Sequence, residues 1–256
     1  MSAQARDVRP GALARRLGEE PPLIGTFSIL DDSVAAQSLA RSGFDFVLVD
    51  LQHGLSDLSR MVPLLQGIEA GGAIPLVRVP SLSPTEIGTA LDRGAHGVVV
   101  PMIESSAQAA ASVAACRYPP AGERSYGPYL VRTDGFSDAA PPPCFVMVES
   151  AAALAAIDEI VAVPGLFGVY VGPSDLAISL GLGADYDVAD PRHDDAVAAI
   201  GTACRSAGVV SAIHTSSAAE AQHRIAQGFT MVSVRSDLAL LGSAGTVLLA
   251  STTLHP

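Results

Sequence analysis

Asp50, His53, Arg78, Glu149 and Asp175 stand at or just past the ends of apolar runs, and each is a residue type that does chemistry. The first run reads Phe44-Asp-Phe-Val-Leu-Val-Asp50-Leu-Gln-His53-Gly54. Arg78 follows Ile74-Pro-Leu-Val77, Glu104 follows Met102-Ile103, Glu149 follows Cys144–Val148, and Asp175 follows Leu166–Val171 through Gly172-Pro173-Ser174. A buried strand reads this way when its last residues emerge into a site. In a barrel of parallel strands such ends converge on one face, and that face carries the chemistry.

Glu149 and Asp175 form a candidate metal pair. Two carboxylates, completed by water and substrate oxygens, suit Mg²⁺ or Mn²⁺, whereas zinc more often takes histidine or cysteine. Taken singly, Asp175 could merely cap a helix and Glu149 could be an ordinary strand-end acid. His53, just past Asp50, suits a general base, the commonest role of a working histidine; the competing reading is a histidine packed under a loop. Arg78 in an apolar run is costly without an anionic partner. Its planar fork suits a substrate carboxylate or a developing enolate oxygen, and an ion pair with Asp50 or Glu149 is compatible with that role. Gly172-Pro-Ser-Asp175 opens into Leu176-Ala-Ile-Ser-Leu180, a turn and helix start whose N–H groups favour an anion. His96, His193, His223 and His255 read as structural, with His214, near a strand end, the strongest exception.

One absent residue excludes more chemistry than these present ones. All 15 basic residues are arginine. Without lysine there is no Schiff base to a carbonyl substrate, no pyridoxal phosphate anchor and no Walker-type phosphate loop.

The elements that must position these residues recur at barrel spacing. Strand-like runs span Leu23–Ile29, Phe44–Asp50, Ile74–Val79, Gly97–Ile103, Cys144–Glu149, Leu166–Val171, Val209–His214 and Thr230–Val234. They are almost continuously apolar, as strands covered on both faces are. Helical patterns lie between them at Asp32–Arg41, Ser56–Ala70, Pro84–Arg93, Ser106–Cys116, Ala152–Ile160, Asp195–Ala207 and Ala218–Ala226. Ser83-Pro84-Thr-Glu86 supplies a cap, a first-turn proline and a first-turn acid. The alternation predicts a (β/α)8 TIM barrel, preceded by a helix at Pro10–Leu17 and closed by one at Leu238–Leu254. Residues 1–256 read as a single domain. Tyr118–Pro143, irregular and long, is expected to lie over the barrel mouth; Gly181–His193 is a second excursion.

Composition removes several partners. Net charge is −11, mean hydropathy is +0.37 and basic residues do not cluster, so nucleic acid and anionic membranes are poor partners. No apolar run reaches the roughly 18 residues of a membrane span, and Met1–Pro10 has no apolar signal core, which predicts a cytoplasmic protein. Cys116, Cys144 and Cys204 are odd in number and far apart, as reduced thiols are.

In this order the motifs resemble the HpcH/HpaI aldolase family, the metal-dependent pyruvate aldolases, over roughly Pro22 to Ala250. The residues that carry the resemblance are Val49-Asp-Leu-Gln-His53-Gly, Pro75-Leu-Val-Arg78-Val-Pro, Gly97-Val-Val-Val-Pro101-Met, Val148-Glu149-Ser and Gly172-Pro-Ser-Asp175-Leu. The resemblance implies a class II aldolase that reversibly cleaves a 4-hydroxy-2-oxo acid to pyruvate and an aldehyde. It implies Glu149 and Asp175 as ligands of Mg²⁺ or Mn²⁺, with Co²⁺ a third candidate. It further implies His53 as catalytic base, Arg78 on pyruvate and its enolate, Asp92 as the acid paired with the histidine, and Gly172–Ser174, with Asp50 near by, around the pyruvate carboxylate. A homohexamer, a trimer of dimers with the last helix packed on a neighbouring subunit, is implied as well. Gln52, Met147 and Arg235 depart from better-known members and leave the aldehyde side open. The alternatives are a lyase of the citrate lyase β-subunit or malyl-CoA lyase type acting on a CoA thioester, and a non-catalytic barrel that binds small acids.

Overall fold

A computed structural model describes residue 8 and residues 11–19, 21–127, 141–183 and 189–252. Among them the eight expected strands form, as β1 (Leu23–Ser28), β2 (Phe46–Asp50), β3 (Ile74–Arg78), β4 (Val98–Val100), β5 (Cys144–Val148), β6 (Gly168–Val171), β7 (Val210–Thr215) and β8 (Met231–Ser236). All eight pair in parallel, in sequence order, and β8 returns to β1 to close the barrel. The helices are α1 (Ala12–Glu19), α2 (Ser33–Arg41), α3 (Met61–Gly71), α4 (Pro84–Asp92), α5 (Ser106–Cys116), α6 (Ala151–Ala155), α7 (Ile157–Val161), α8 (Pro173–Ser179), α9 (Pro191–Ala207), α10 (Ala218–Ala226) and α11 (Asp237–Thr252).

Strand alternation sorts the apolar residues into two cores. Val47, Val49, Val77, Val146, Val148, Val169 and Val171 face the helices, while Phe46, Leu48, Ile74, Leu76, Phe145, Met147 and Tyr170 fill the barrel. Burying each such side chain contributes about 1.5–3 kcal/mol. Ala12 and Leu13 of α1 join the interior cluster. The same period of two carries the inward series one step beyond each strand's last apolar residue. It runs Phe46-Leu48-Asp50 on β2, Ile74-Leu76-Arg78 on β3, Phe145-Met147-Glu149 after β5 and Ala212-His214 on β7.

The boundaries depart from the expected ones where local chemistry intervenes. The strand expected over Gly97–Ile103 shortens to Val98–Val100, because the backbone turns to φ 56° at Met102. The helix expected over Ala152–Ile160 divides into α6 and α7 at Ala156. The first part of the Ser56–Ala70 helix is turn, and α3 begins at Met61. Between Gly25 and Phe27, β8 carries one residue more than β1, pairing Ser233 with the former and Ser236 with the latter. This bulge places Arg235 at φ 58° and reverses the facing of the residues after it, as bulges do. Arg235 therefore turns away from the mouth, donating through Nε to the Ser216 carbonyl at 2.9 Å and through Nη1 to Ser243 Oγ.

The three cysteines are buried free thiols. No helix among the described residues is long and apolar enough to cross a membrane. The central part of the expected mouth loop, residues 128–140, lies outside the described residues, as do 184–188 of the second excursion and the ends of the first and last expected helices.

Candidate active site

At the C-terminal ends of the strands opens a cavity of about 360 Å³, lined by residues that include Asp50, His53, Arg78, Gly172, Pro173, Ser174 and Asp175. Glu149 adjoins it, packed against Gly172. The chain brings these residues together, whereas Glu104 and Asp92, also singled out from sequence, are not among those lining the cavity. Asp92, at the end of α4, accepts a 2.6 Å bond from Arg124 Nη2.

Arg78 and Asp50 form the best-fixed pair. Arg78 Nε donates to Asp50 Oδ1 at 2.8 Å and Nη2 to Oδ2 at 2.6 Å. This bidentate bond holds the guanidinium plane, and the Phe27 ring lies against it at 5.2 Å. The third nitrogen, Nη1, faces Met147 Sδ at 3.9 Å. Asp50 also receives the backbone N–H of Gln52 at 3.1 Å and of His53 at 3.2 Å. Burial pushes the Asp50 carboxyl up, but the bonds from Arg78 and then these N–H groups outweigh it and hold the group below the usual range. Asp50 thus fixes both the arginine and the start of the His53 loop. The His53 residue itself is exposed at the mouth.

Glu149 is the electrostatic exception. It is 3% exposed, and its Oε1 accepts from the Met102 N–H at 2.7 Å. Met102 reaches it through its left-handed backbone, φ 56°, a conformation that costs a non-glycine residue about 1 kcal/mol or more and clusters at working sites. Burial pushes the Glu149 carboxyl up, the Met102 bond opposes this, and the negative charge of Asp175 raises it again. A buried carboxylate repelled by a second one is unstable by itself. A divalent cation between them removes both penalties, and an all-oxygen pair matches a hard ion. The residues therefore fit Mg²⁺ or Mn²⁺.

The approach of α8 to this pair depends on Gly172. A Cβ there would lie 2.4 Å from Glu149 Oε2 and 2.9 Å from Glu149 Cβ. Gly172→Ala should therefore displace the carboxylate and lower divalent-ion affinity about 10- to 100-fold, with the fold retained. Calorimetric titration with Mn²⁺ checks this; unchanged affinity would mean that Glu149 does not hold the ion. Past Gly172, Pro173 and Ser174 open α8, with Asp175 in its first turn. The Ser174 hydroxyl oxygen is buried and finds no partner among the described residues. From behind, buried His193 donates from Nε2 to the Pro173 carbonyl at 2.9 Å. Nothing in the local sequence distinguishes His193, because it reaches the turn from α9, across the second excursion.

His214 also lines the cavity, so the strongest exception among the structural histidines belongs to the site. Ser236 lines it too. No local pattern signals this, since only the β8 bulge turns Ser236 inward.

A model of the HpcH/HpaI aldolase/citrate lyase family matches residues 23–244. A hydroxypyruvate/pyruvate aldolase of Rhizorhabdus wittichii is 35% identical over 91% of this chain and 94% of its own length. A 5-keto-4-deoxy-D-glucarate aldolase of Shigella dysenteriae is 33% identical over 93% of this chain and 95% of its own. Among solved structures, a HpcH/HpaI aldolase/citrate lyase family protein from Burkholderia cenocepacia superposes with a TM-score of 0.88. It is 30% identical, covering 94% of this chain and 98% of that one.

Proposed function

Because this chain belongs to the HpcH/HpaI aldolase/citrate lyase family, we propose that it is a divalent-metal-dependent aldolase of residues 1–256, cleaving a 4-hydroxy-2-oxo acid reversibly to pyruvate and an aldehyde. The observation that carries this reading is the convergence, on one mouth, of a buried carboxylate, Glu149, an exposed one beside it, Asp175, and an arginine fixed in plane. Such a site binds the vicinal oxygens of a 2-oxo acid and stabilises negative charge on one of them.

A divalent ion held by Glu149 and Asp175 would supply Lewis acidity to the carbonyl and carboxylate oxygens of the pyruvate unit. Arg78, with Nε and Nη2 committed to Asp50, presents Nη1 to the oxygen on which enolate charge develops. The turn Gly172-Pro173-Ser174 suits the substrate carboxylate; Pro173 has no N–H and that of Gly172 goes to the Val148 carbonyl, so Ser174 and Asp175 are the backbone donors there. The Ser174 hydroxyl adds a further donor. His53 removes the proton of the substrate's 4-hydroxyl in cleavage, the carbon–carbon bond breaks toward the enolate, and the enolate carbon takes up a proton to give pyruvate. The absence of lysine is consistent with this route and bars a covalent imine.

Asp92 remains the proposed support of His53. Within one chain it is bonded to Arg124 and lies outside the cavity lining, so the pairing is proposed with His53 of a second copy. The apolar residues of α11 support an oligomer: Leu241, Val247, Leu248 and Leu249 are each about two-thirds exposed, and exposed apolar clusters mark interaction sites. A cytoplasmic homohexamer is the proposed form.

Release of pyruvate from a panel of 4-hydroxy-2-oxo acids tests the activity. The role of His53 is tested by pattern. His53→Ala should lower cleavage about 10²- to 10⁴-fold and leave calorimetric binding of the pyruvate analogue oxamate intact. Loss of both would make His53 a structural residue of the site.

A further inference from the structure

The cavity has two halves, and the proposed reaction uses one of them. Asp50, His53 and Arg78 stand on the β2–β3 side, and Glu149 and Asp175 follow β5 and β6. The remaining arc, from β7 through β8 to β1, carries His214, Ser236, Phe27 and Ile29. We infer that this arc receives the aldehyde half of the substrate, that the aldehyde is a short, uncharged one bearing a hydroxyl group, and that His214 is its hydrogen-bonding residue. The inference rests on the aldolase reading and adds the substrate class.

Charge decides against an anionic aldehyde. Arg78 is the one arginine among the described residues lining the cavity, and its fork is committed to Asp50 on one side and the pyruvate half on the other. Arg235, which stands on the arc's own strand, is turned outward by the bulge to Ser216 and Ser243. An acid, Asp237, follows directly after β8. It is buried and accepts from Ser28 Oγ at 3.2 Å, from Ile29 N at 2.9 Å and from Leu30 N at 3.1 Å. A carboxylate placed in the arc would lose its hydration near this charge without gaining a cation from the described residues, which is strongly unfavourable.

Hydrogen bonding decides for a hydroxyl. Tyr170 fills the barrel beneath the arc, and its hydroxyl donates to Ser233 Oγ at 2.6 Å. Ser233 Oγ lies 2.9 Å from His214 Nδ1. The assignment that uses both hydroxyl protons has Tyr170 donate to Ser233 and Ser233 donate to Nδ1, which leaves the ring proton on Nε2. Edge-on contact with Phe27, at 4.7 Å between centroids, fixes the ring plane. Burial, and then Arg78, pushes the His214 pKa down to about 4, so the ring is neutral at pH 7. The result is an uncharged, oriented imidazole beside a serine and two apolar side chains. That surface matches a hydroxylated carbon skeleton. A plain alkyl aldehyde would cover its polar groups without answering them, and such mismatches discriminate strongly.

The test uses the full chain loaded with Mn²⁺, pyruvate as donor and three acceptors. Glycolaldehyde carries the hydroxyl, propanal replaces it with a methyl group, and succinic semialdehyde carries a carboxylate. Wild-type kcat/KM for glycolaldehyde should exceed that for succinic semialdehyde about 10²-fold and that for propanal at least about tenfold. His214→Leu should lower the glycolaldehyde-to-propanal ratio about tenfold; if that variant fails to fold, Ser233→Ala, which removes the Ser233 bond to Nδ1, is read by the same ratio. Nitrogen NMR of His214 should find the proton on Nε2 alone. Equal use of succinic semialdehyde, an unchanged ratio in the folded variant, or a ring protonated on Nδ1 overturns the inference. Deuterium exchange into the pyruvate methyl group needs no aldehyde and separates the two levels. Exchange with the wrong acceptor preference sinks this inference alone, and absence of exchange sinks the aldolase reading with it.

Discussion

Glu149→Ala and Asp175→Ala should each abolish divalent-metal binding and lower turnover by at least about 10³-fold, while the barrel stays folded. The expected size reflects what the pair does. In the proposed site each carboxylate would supply one of two protein ligands, so either loss would leave a single donor and no chelate. The ion's whole contribution to enolate stabilisation would disappear with it. The expected retention of fold comes from electrostatics. In the metal-free chain the Glu149 carboxyl is penalised by burial and by Asp175. Removing it deletes an unfavourable charge at the cost of one 2.7 Å bond from Met102. The melting temperature of metal-free Glu149→Ala should therefore equal or exceed that of the metal-free wild type, as substitutions at strained working sites often show. Circular dichroism melts beside Mn²⁺ titration read both quantities. A folded variant with full metal affinity would remove Glu149 from the site.

The raised Glu149 pKa would give the proposed metal binding a pH dependence of known sign. A proton and the cation compete for the same carboxylate. Affinity should be full above that raised pKa and fall as the pH drops through it, earlier than for an ordinary glutamate.

Arg78→Lys should lower kcat about 10²- to 10³-fold, although it keeps the charge. The structure explains why charge is insufficient. Two guanidinium nitrogens are spent on Asp50, at 2.8 and 2.6 Å, and they aim the third. A lysine ammonium has no plane. It could meet Asp50 or the substrate oxygen, but could not use one contact to orient the other. The loss should fall mainly on kcat, because the contact strengthens as negative charge develops. Stability should also drop, since Asp50 is 1% exposed and loses a bidentate partner. Separate measurement of kcat and KM distinguishes the roles. A near-normal kcat with lowered stability would make Arg78 a structural ion-pair partner of Asp50 alone.

Much of this geometry is legible in the sequence because strand periodicity is local. The run Phe46-Val-Leu-Val-Asp50 alternates between the helix layer and the barrel interior, so Asp50 has to emerge inward. The same count places Arg78, Glu149 and His214. Distances along the chain are enough for these residues.

The features that cannot be read this way depend on contacts between distant elements or on single backbone torsions. The β8 bulge exists only relative to β1, where Ser233 faces Gly25 and Ser236 faces Phe27. From sequence alone Arg235 reads as a charge at the end of strand eight; it points away from the mouth, and Ser236 takes the inward place. Met102 reads as part of a longer strand, yet its turned backbone is what delivers an N–H to Glu149. Helix α8 reads as a turn with a helix start, and its support by His193 crosses from α9 to Pro173. Asp92 comes from the family resemblance and from no feature of α4, and within one chain it is bonded to Arg124.

Metal-dependent, lysine-free cleavage to pyruvate can be followed as pyruvate release from a 4-hydroxy-2-oxo acid, with EDTA and borohydride as separate arms. Release should stop with EDTA, return on addition of Mg²⁺ or Mn²⁺, and continue after borohydride treatment in the presence of pyruvate. Undiminished release from an EDTA-stripped, metal-free preparation would contradict the assignment of Glu149 and Asp175 and the mechanism built on them.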